Sequence, residues 1–118
     1  MGYQSFRELR VWQGAKSLAV EIYRLTGTGR LQRDFGLKDQ MQRAAVSIAC
    51  NISEGYERHS NAEFKRFLFI AKGSLSELIT QLEIAKEIGF INQQDCAALD
   101  ERCNKIGAML TKLIKPRS

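Results

Sequence analysis

A single proline, Pro116, among 118 residues constrains the fold of this chain more than any other feature. Proline inside a helix costs about 3 kcal/mol, because it lacks an amide hydrogen and clashes with the preceding turn. The residues before it are therefore free to form long, uninterrupted helices. With 44% hydrophobic residues, a chain of this length has enough apolar surface for one core but not for two. We expect a single domain over residues 1–118.

Four segments place apolar residues at alternating intervals of four and three, the spacing that gathers side chains on one face of an α-helix. No segment alternates with a period of two, so no strand is predicted. Four such helices joined by short breaks predict an all-α fold, an antiparallel up-down-up-down four-helix bundle. The stripes are Val11, Ala15, Leu18, Ile22 and Leu25; Leu37, Met41, Ala45, Ile48 and Ile52; Phe64, Leu68, Ala71, Leu75, Leu78, Leu82 and Ala85; and Cys96, Leu99, Cys103, Ile106, Leu110 and Leu113.

Glycines divide into helix ends and helix interiors. Gly27 and Gly29 are expected to end the first helix, and the second is expected over about residues 37–54, with Gly55 as a left-handed cap. Three other glycines lie inside predicted helices, where each costs about 1 kcal/mol relative to alanine. They are expected to allow close approach of another helix, and they are Gly14, Gly73 and Gly107.

Polar caps predict the limits of the last two helices. Ser60 and Glu63 form a capping box, in which the serine oxygen accepts an amide hydrogen while the glutamate reaches back to the cap. The third helix is expected to run from there to Gly89. Asn92 is the expected cap of the fourth helix, which Pro116 ends.

Four residues on the second and third helices point away from the core stripes: Val46, Cys50, Phe69 and Ile84. At 100° per residue they lie about 140–150° from their stripes. Scattered exposed apolar residues are common in monomers. Because two helices each carry a second apolar face, we favour self-association through these residues.

Polar residues follow one flank of the second helix and one flank of the third. In an antiparallel hairpin the two lines face each other, and an Arg43–Glu77 contact is expected. The lines are either solvated faces or a buried polar network that sets register within a subunit or across an interface. They consist of Gln40, Arg43, Ser47, Asn51 and Glu54, and of Ser74, Glu77 and Gln81.

The sequence offers no recognisable catalytic or metal-binding pattern. His59 is the only histidine, and none of the three cysteines forms a Cys-x-x-Cys pair. We therefore expect a protein that is not an enzyme and that needs no cofactor or metal. No apolar run is long enough for a membrane span or a signal peptide, so no membrane association and a cytoplasmic location are expected.

The net charge of +5 and the pI of about 9.3 favour polyanionic partners without naming one. The candidate nucleic-acid contacts are Arg7, Arg10, Arg30 and Arg33 near one end, and Lys105 and Lys112 on the outer face of the fourth helix. A charge of this size is usually a solvated surface. An oligomer would multiply it, since a ring of five subunits would repeat the same weak patch five times.

Three segments carry a resemblance to a known family. They are FRELRVWQ at 6–13, QMQRAAVSIACNISEG at 40–55 and EFKRFLFIAKGS at 63–74. The chain resembles the 23S rRNA intervening-sequence proteins, also called four-helix bundle proteins. This resemblance implies a bacterial four-helix bundle that assembles as a homopentamer, without catalytic residues. The family usually shows two adjacent basic residues where this chain has Gln42 and Arg43.

The architecture is also similar to that of the accessory variability proteins of diversity-generating retroelements. The resemblance implies nucleic-acid binding and a reverse-transcriptase partner for those proteins. Three hypotheses follow for this chain. The first is a non-enzymatic homo-oligomer, and the alternatives are an RNA- or DNA-binding accessory protein and an adaptor for a nucleic-acid-processing partner protein.

Overall fold

The computed structural model describes residues 5–117. Four long helices account for most of this range, and its described residues contain no strand. The four-helix prediction is therefore confirmed. The helices are α1 (Arg10–Thr26), α2 (Phe35–Glu57), α3 (Asn61–Glu87) and α4 (Gln93–Ile114), with single 3₁₀ turns at Phe6–Glu8, Leu31–Arg33 and Lys115–Arg117.

Contacts between α2 and α3 run in opposite directions along the two helices. Ser47 contacts Ser74, whereas further along α2 the backbone of Gly55 lies against Phe67. The two helices are therefore antiparallel. Such helices pack side by side because their apolar stripes face one another.

The same reversal holds between α3 and α4. Lys72 Nζ donates to Thr111 Oγ1 at 3.2 Å, and Cys96 Sγ lies 3.8 Å from the carbonyl oxygen of Leu82. Helix α1 packs against both α2 and α4, which closes the ring of four helices. The bundle measures 44 × 20 × 19 Å, as expected for four helices side by side.

The predicted stripes form the core. Every residue of the third stripe is buried, and Leu18, Ile48 and Leu110 of the other helices are fully buried. Leu25, Leu37 and Leu113, which lie at stripe ends, are only partly buried. The core therefore runs along most of the bundle.

Side-chain caps begin three of the four helices. Asn92 Oδ1 accepts the amide hydrogen of Asp95 at 2.7 Å, and Ser60 Oγ accepts that of Glu63 at 3.2 Å, as predicted. The Glu63 carboxylate instead contacts Arg66, at 3.0 Å. Asp34 caps α2 by accepting the amide hydrogen of Leu37, which starts this helix two residues earlier than expected.

Gly55 is not a left-handed cap, so that prediction is wrong. It lies buried inside α2, and a Cβ built on it would be 2.6 Å from Cβ of Phe67. The missing side chain lets α2 and α3 approach closely. The left-handed residue is His59, with φ of 55°, and α2 runs on to Glu57 before it.

The interior glycines do not behave alike. A Cβ on Gly107 would touch Leu75 at 3.4 Å, and one on Gly14 would touch Met109 at 3.6 Å, so both face a neighbouring helix. Gly73 is exposed, with no atom within 4 Å of a Cβ. The expectation of close packing at Gly73 is therefore wrong.

Candidate functional site

The predicted polar lines of α2 and α3 meet in one shallow groove on the outside of the bundle. Its volume is about 310 Å³. The lines meet because α2 and α3 are antiparallel neighbours, so the polar flank of each helix faces the other. We call this surface the α2/α3 groove, lined by Gln40, Arg43, Ala44, Ser47, Ser74, Glu77 and Gln81.

Hydrogen bonds tie the centre of the groove together. The hydroxyl oxygens of Ser47 and Ser74 lie 2.8 Å apart and share one hydrogen bond. Asn51 Nδ2 donates to Ser47 Oγ at 2.9 Å and to the Ser47 carbonyl oxygen at 2.8 Å. These three predicted residues form a polar network that links α2 to α3 within one subunit.

Gln81 is the anomaly of the groove. Its side chain is only 7% exposed, yet its Oε1 has no hydrogen-bond partner in the described part of the chain. A buried polar atom without a partner costs about 1–3 kcal/mol, so native proteins rarely leave one. No group in residues 5–117 of the same subunit donates a hydrogen bond to this oxygen.

The expected Arg43–Glu77 contact is absent among the described residues, so that prediction is wrong. Arg43 Nε instead lies 3.4 Å from Asp39 Oδ2, one turn away on the same helix, and its side chain is 81% exposed. Glu54, the last member of the α2 line, pairs with Arg58 at 3.2 Å. Both side chains lie on the outer part of α2, where a partner on the same helix is closer than one on α3.

A second groove, with apolar walls, lies between α1 and α2. Its volume is about 360 Å³. Val46 and Cys50 are exposed there, as predicted, but Val20 and Tyr23 of α1 join them. Val20 and Tyr23 lie three residues apart, a spacing that places both on one side of α1 but does not show that a groove forms there. We call it the α1/α2 groove, lined by Lys16, Ala19, Val20, Tyr23, Val46, Ala49 and Cys50.

The outer side of α3 forms a separate apolar surface. Phe69 and Ile84 are exposed, at 51% and 47%, as predicted. Ile70 and Ile88, which the sequence reasoning missed, are also exposed on this helix. The four predicted apolar residues therefore belong to two surfaces, one between α1 and α2 and one on α3.

The predicted basic residues do not form one cluster. Arg7 and Arg10 lie before and at the start of α1, whereas Arg30 and Arg33 follow its end. A 17-residue helix separates the two pairs by about 25 Å, so the expectation that all four lie near one end is wrong. Arg30 and Arg33 instead border a surface pocket with Phe35 and Phe90.

Lys105 and Lys112 are exposed on α4, as predicted. Lys105 lies 3.6 Å from Glu101 on the same helix. Lys112 lies at the end of the bundle that also holds Arg7 and Arg10, because α1 and α4 are antiparallel. Three of the six predicted basic residues, Arg7, Arg10 and Lys112, therefore lie at the same end of the bundle.

Basic residues are concentrated at that end of the bundle. We call it the basic end; it comprises residues 5–10, 54–66 and 112–116, with seven basic and four acidic residues. The opposite end, residues 21–43 and 83–102, has seven basic and eight acidic residues. The net charge of +5 is therefore unevenly distributed along the helix axis.

The thiols of the core are poor nucleophiles. Burial raises the pKa of Cys103 to about 11, and burial also raises the pKa of Cys96. Both thiols are therefore protonated at neutral pH, and a thiol is far less reactive than a thiolate. Among residues 5–117, no three side chains of the metal-ligating types come together to hold an ion.

No helix in the described part of the chain has the length and apolarity needed to cross a membrane.

The sequence profile of the 23S rRNA-intervening sequence proteins matches residues 7–112. The chain therefore belongs to this family. The matched range includes α1, α2 and α3 and nearly all of α4, so the family membership applies to the whole bundle.

Solved structures with this fold include a protein of unknown function from the S23 ribosomal protein family of Bacteroides thetaiotaomicron. The two chains are 25% identical and superpose with a TM-score of 0.83, over 89% of this chain and 95% of the other. Among proteins with curated descriptions, none matches this chain. Family and structure therefore agree on a helical bundle and assign it no activity.

Proposed function

We propose that this protein is a non-enzymatic scaffold that assembles into a homo-oligomer, with five copies as the expected number. The observation that supports assembly is the pair of unlike apolar surfaces, the α1/α2 groove and the outer side of α3. Two unlike surfaces that bind each other make a head-to-tail contact, which forms a closed ring when the rotation between copies closes and an open filament when it does not. The number five comes from the family resemblance alone.

The absence of catalysis is part of this proposal. The groups that most often act as bases or nucleophiles are few here: one histidine, one exposed cysteine, Cys50, and two buried cysteines whose pKa values are raised. The α2/α3 groove contains amides, hydroxyls, Arg43 and Glu77, which suit hydrogen bonding to a partner.

Light scattering coupled to size exclusion tests the assembly. At micromolar concentration we expect five times the 13.4 kDa mass of one chain. The variant Val46→Lys should dissociate the oligomer, because it places a charge in the α1/α2 groove. Asn104→Lys, at an exposed position of α4 outside both surfaces, is the control and should leave the mass unchanged. A monomer of wild-type protein at these concentrations would refute the proposal.

Nucleic-acid binding is a second candidate function, and the basic end supports it. In a ring whose axis runs along the helices, every copy presents its basic end on the same side. The weak positive field of one subunit is then repeated around that side. The resemblance to accessory variability proteins favours the same candidate by analogy.

Fluorescence polarisation with labelled single-stranded RNA and DNA tests this candidate. Affinity should fall steeply between 50 and 200 mM salt, because each phosphate contact releases counterions. Arg10→Glu and Lys112→Glu should weaken binding at the basic end, whereas Arg33→Glu at the opposite end should not. Binding that loses the same affinity in all three variants would contradict the role of the basic end.

A further inference from the structure

We propose that α3 of one copy docks against the α1/α2 groove of the next, where the neighbouring copy's Tyr23 donates the hydrogen bond that Gln81 lacks and its Lys16 pairs with Glu77. This inference rests on the proposed homo-oligomer and specifies its interface. The proposal places the ring axis along the helices; residues that meet across the interface then lie at the same height in their own subunits.

The Gln81 side chain shows that the α3 surface is incomplete in a single subunit. Its Oε1 is buried and has no donor among the described residues; because Gln81 lines the α2/α3 groove, the proposed contact requires its side chain to rotate outward on docking. Glu77, one turn away, is exposed and has no cationic partner among the described residues. An occupant that brings a hydrogen-bond donor and a positive charge complements both groups, and apolar surface on it would cover the nearby exposed Ile70 and Ile84.

The α1/α2 groove offers this combination. Its walls are apolar, and the strong side-chain donors at its edge are Lys16 and Tyr23. The Lys16 ammonium lies 5.3 Å from the centre of the Trp12 ring and pairs with no carboxylate in the described part of the chain. Tyr23 is 50% exposed. The charge of the groove is thus complementary to that of Glu77.

The heights of the two surfaces agree at the Cys50 end. On α2, Cys50 lies between Ser47 and Gly55; these residues contact Ser74 and Phe67 of α3. The α3 segment between Phe67 and Ser74 contains Ile70. Ile70 of one copy therefore meets Cys50 of the next.

The heights also agree at the Tyr23 end. Contacts through α4 place Lys16 level with Glu77. Gly14 of α1 faces Ile106 of α4, and the next residue of α4, Gly107, faces Leu75 of α3. Contacts through α2 place it level with Ile70, because Gln42 of α2 donates to Thr26 of α1 while Ser47 faces Ser74. We take its height to lie between the two. Tyr23 is seven residues further along α1, and its height therefore lies between Glu77 and Ile84, the segment that contains Gln81.

Disulfide trapping tests this geometry with a native thiol. Cys50 is the exposed cysteine, while Cys96 and Cys103 are buried. Oxidised Ile70→Cys protein should form a ladder of covalent multimers on a non-reducing gel, ending at the ring size, because each copy links to the next. Adding Cys50→Ser should abolish the ladder. Ser76→Cys, about 120° around α3 from Ile70, is the matched control and should give none.

The outcomes separate this inference from the proposed function. An assembled wild-type protein whose Ile70→Cys variant gives no ladder, gives only dimers, or gives the same ladder as Ser76→Cys would overturn the docking geometry and leave the oligomer intact. A wild-type monomer in light scattering would refute both. A ladder specific to Ile70→Cys, in a protein that assembles, supports both.

A charge exchange tests the electrostatic pair. Lys16→Glu and Glu77→Lys should each raise the dissociation constant of the oligomer about tenfold, and the double variant should restore most of the loss. The control pair Lys105→Glu and Glu101→Lys, on α4, should leave assembly unchanged. Equal losses in the single and double variants would overturn the pairing.

The effect of Gln81→Leu on assembly and on stability tests whether Tyr23 of the neighbouring copy donates to Gln81. If the neighbouring copy's Tyr23 donates to it, Gln81→Leu and Tyr23→Phe should each weaken assembly about tenfold, and the double variant should lose no more. If Gln81 stays unpartnered in the oligomer, Gln81→Leu instead stabilises the fold and leaves assembly unchanged. That result would overturn the proposed hydrogen bond.

Discussion

Replacing Gly55 with alanine tests the closest approach of two helices in the bundle. The added Cβ would lie 2.6 Å from Cβ and 3.3 Å from Cγ of Phe67, and 3.2 Å from Cδ1 of Phe64. Optimal carbon–carbon contacts are about 3.5–4.0 Å, so α2 and α3 must separate by about 1 Å. The nearest atom is a Cβ, which cannot move away without its backbone.

Two opposing effects set the magnitude. Overpacking of a well-filled site costs about 1–3 kcal/mol. Alanine regains about 1 kcal/mol over glycine inside a helix. We therefore expect Gly55→Ala to lower the free energy of unfolding by up to about 2 kcal/mol, with a fall in Tm of about 4 °C for each kcal/mol in a chain of this length.

Urea unfolding followed by circular dichroism measures this change, at one protein concentration for all variants and with an unchanged m-value. Gly73→Ala is the matched control, because Gly73 is also helical but no atom lies within 4 Å of its added Cβ. It should raise stability by about 1 kcal/mol. If both variants stabilised the protein equally, close packing at Gly55 would be refuted as the reason for its glycine.

The remaining predictions concern single interactions. Ser47→Ala and Ser74→Ala should each lower the free energy of unfolding by about 1 kcal/mol, because the two hydroxyls share one hydrogen bond. In a double-mutant cycle the two losses should therefore be coupled, and additive losses would count against that bond. His59→Gly should stabilise the protein in thermal unfolding, because φ of 55° strains any residue with a Cβ, whereas His59→Ala should not; equal effects would contradict the strain. The hydrogen bond from Arg66 lowers the pKa of Glu63 in the folded protein. The ionised Glu63 carboxylate therefore stabilises the fold fully above the pKa that it has in the unfolded chain, and this stabilisation is lost as the pH falls through its pKa in the folded protein. In Arg66→Gln the pKa of Glu63, measured by NMR titration, should rise, and an unchanged value would refute the pairing.

The core was predictable because burial of apolar stripes dominates helix packing. Leu68, Leu78 and Leu82 lie where their four-three spacing places them, fully or almost fully buried. The caps at Ser60 and Asn92 were predictable for a similar reason, since few side chains can accept the free amide hydrogens of a helix start. Both kinds of signal are local in sequence.

The helix end near Gly55 was not predictable from local signals. A glycine after a helical stripe resembles a cap, but this glycine serves the contact with Phe67, which is remote in sequence. Arg43 and Glu77 line the same groove without pairing, because Asp39, one turn away on α2, binds the guanidinium instead. Sequence periodicity indicates which side of a helix a residue occupies but not its level opposite a neighbour.

The candidate surfaces were predictable only in part. Val46 and Ile84 were recognisable because each violates the stripe of its own helix. The α1/α2 groove was not, because it exists only once Val20 and Val46 lie on adjacent helices. The unpaired oxygen of Gln81 could not be predicted either, because the hydrogen bonds of a side-chain amide depend on all the residues that surround it.

The short connections between the helices have a kinetic consequence. Only residues 58–60 join α2 to α3, and only residues 88–92 join α3 to α4. Each helix therefore packs against the helix that follows it in the chain, which keeps contact order low and allows folding within microseconds to milliseconds. Refolding of a subunit should thus be a first-order process that ends before copies meet. Only the later encounter of finished subunits should depend on protein concentration.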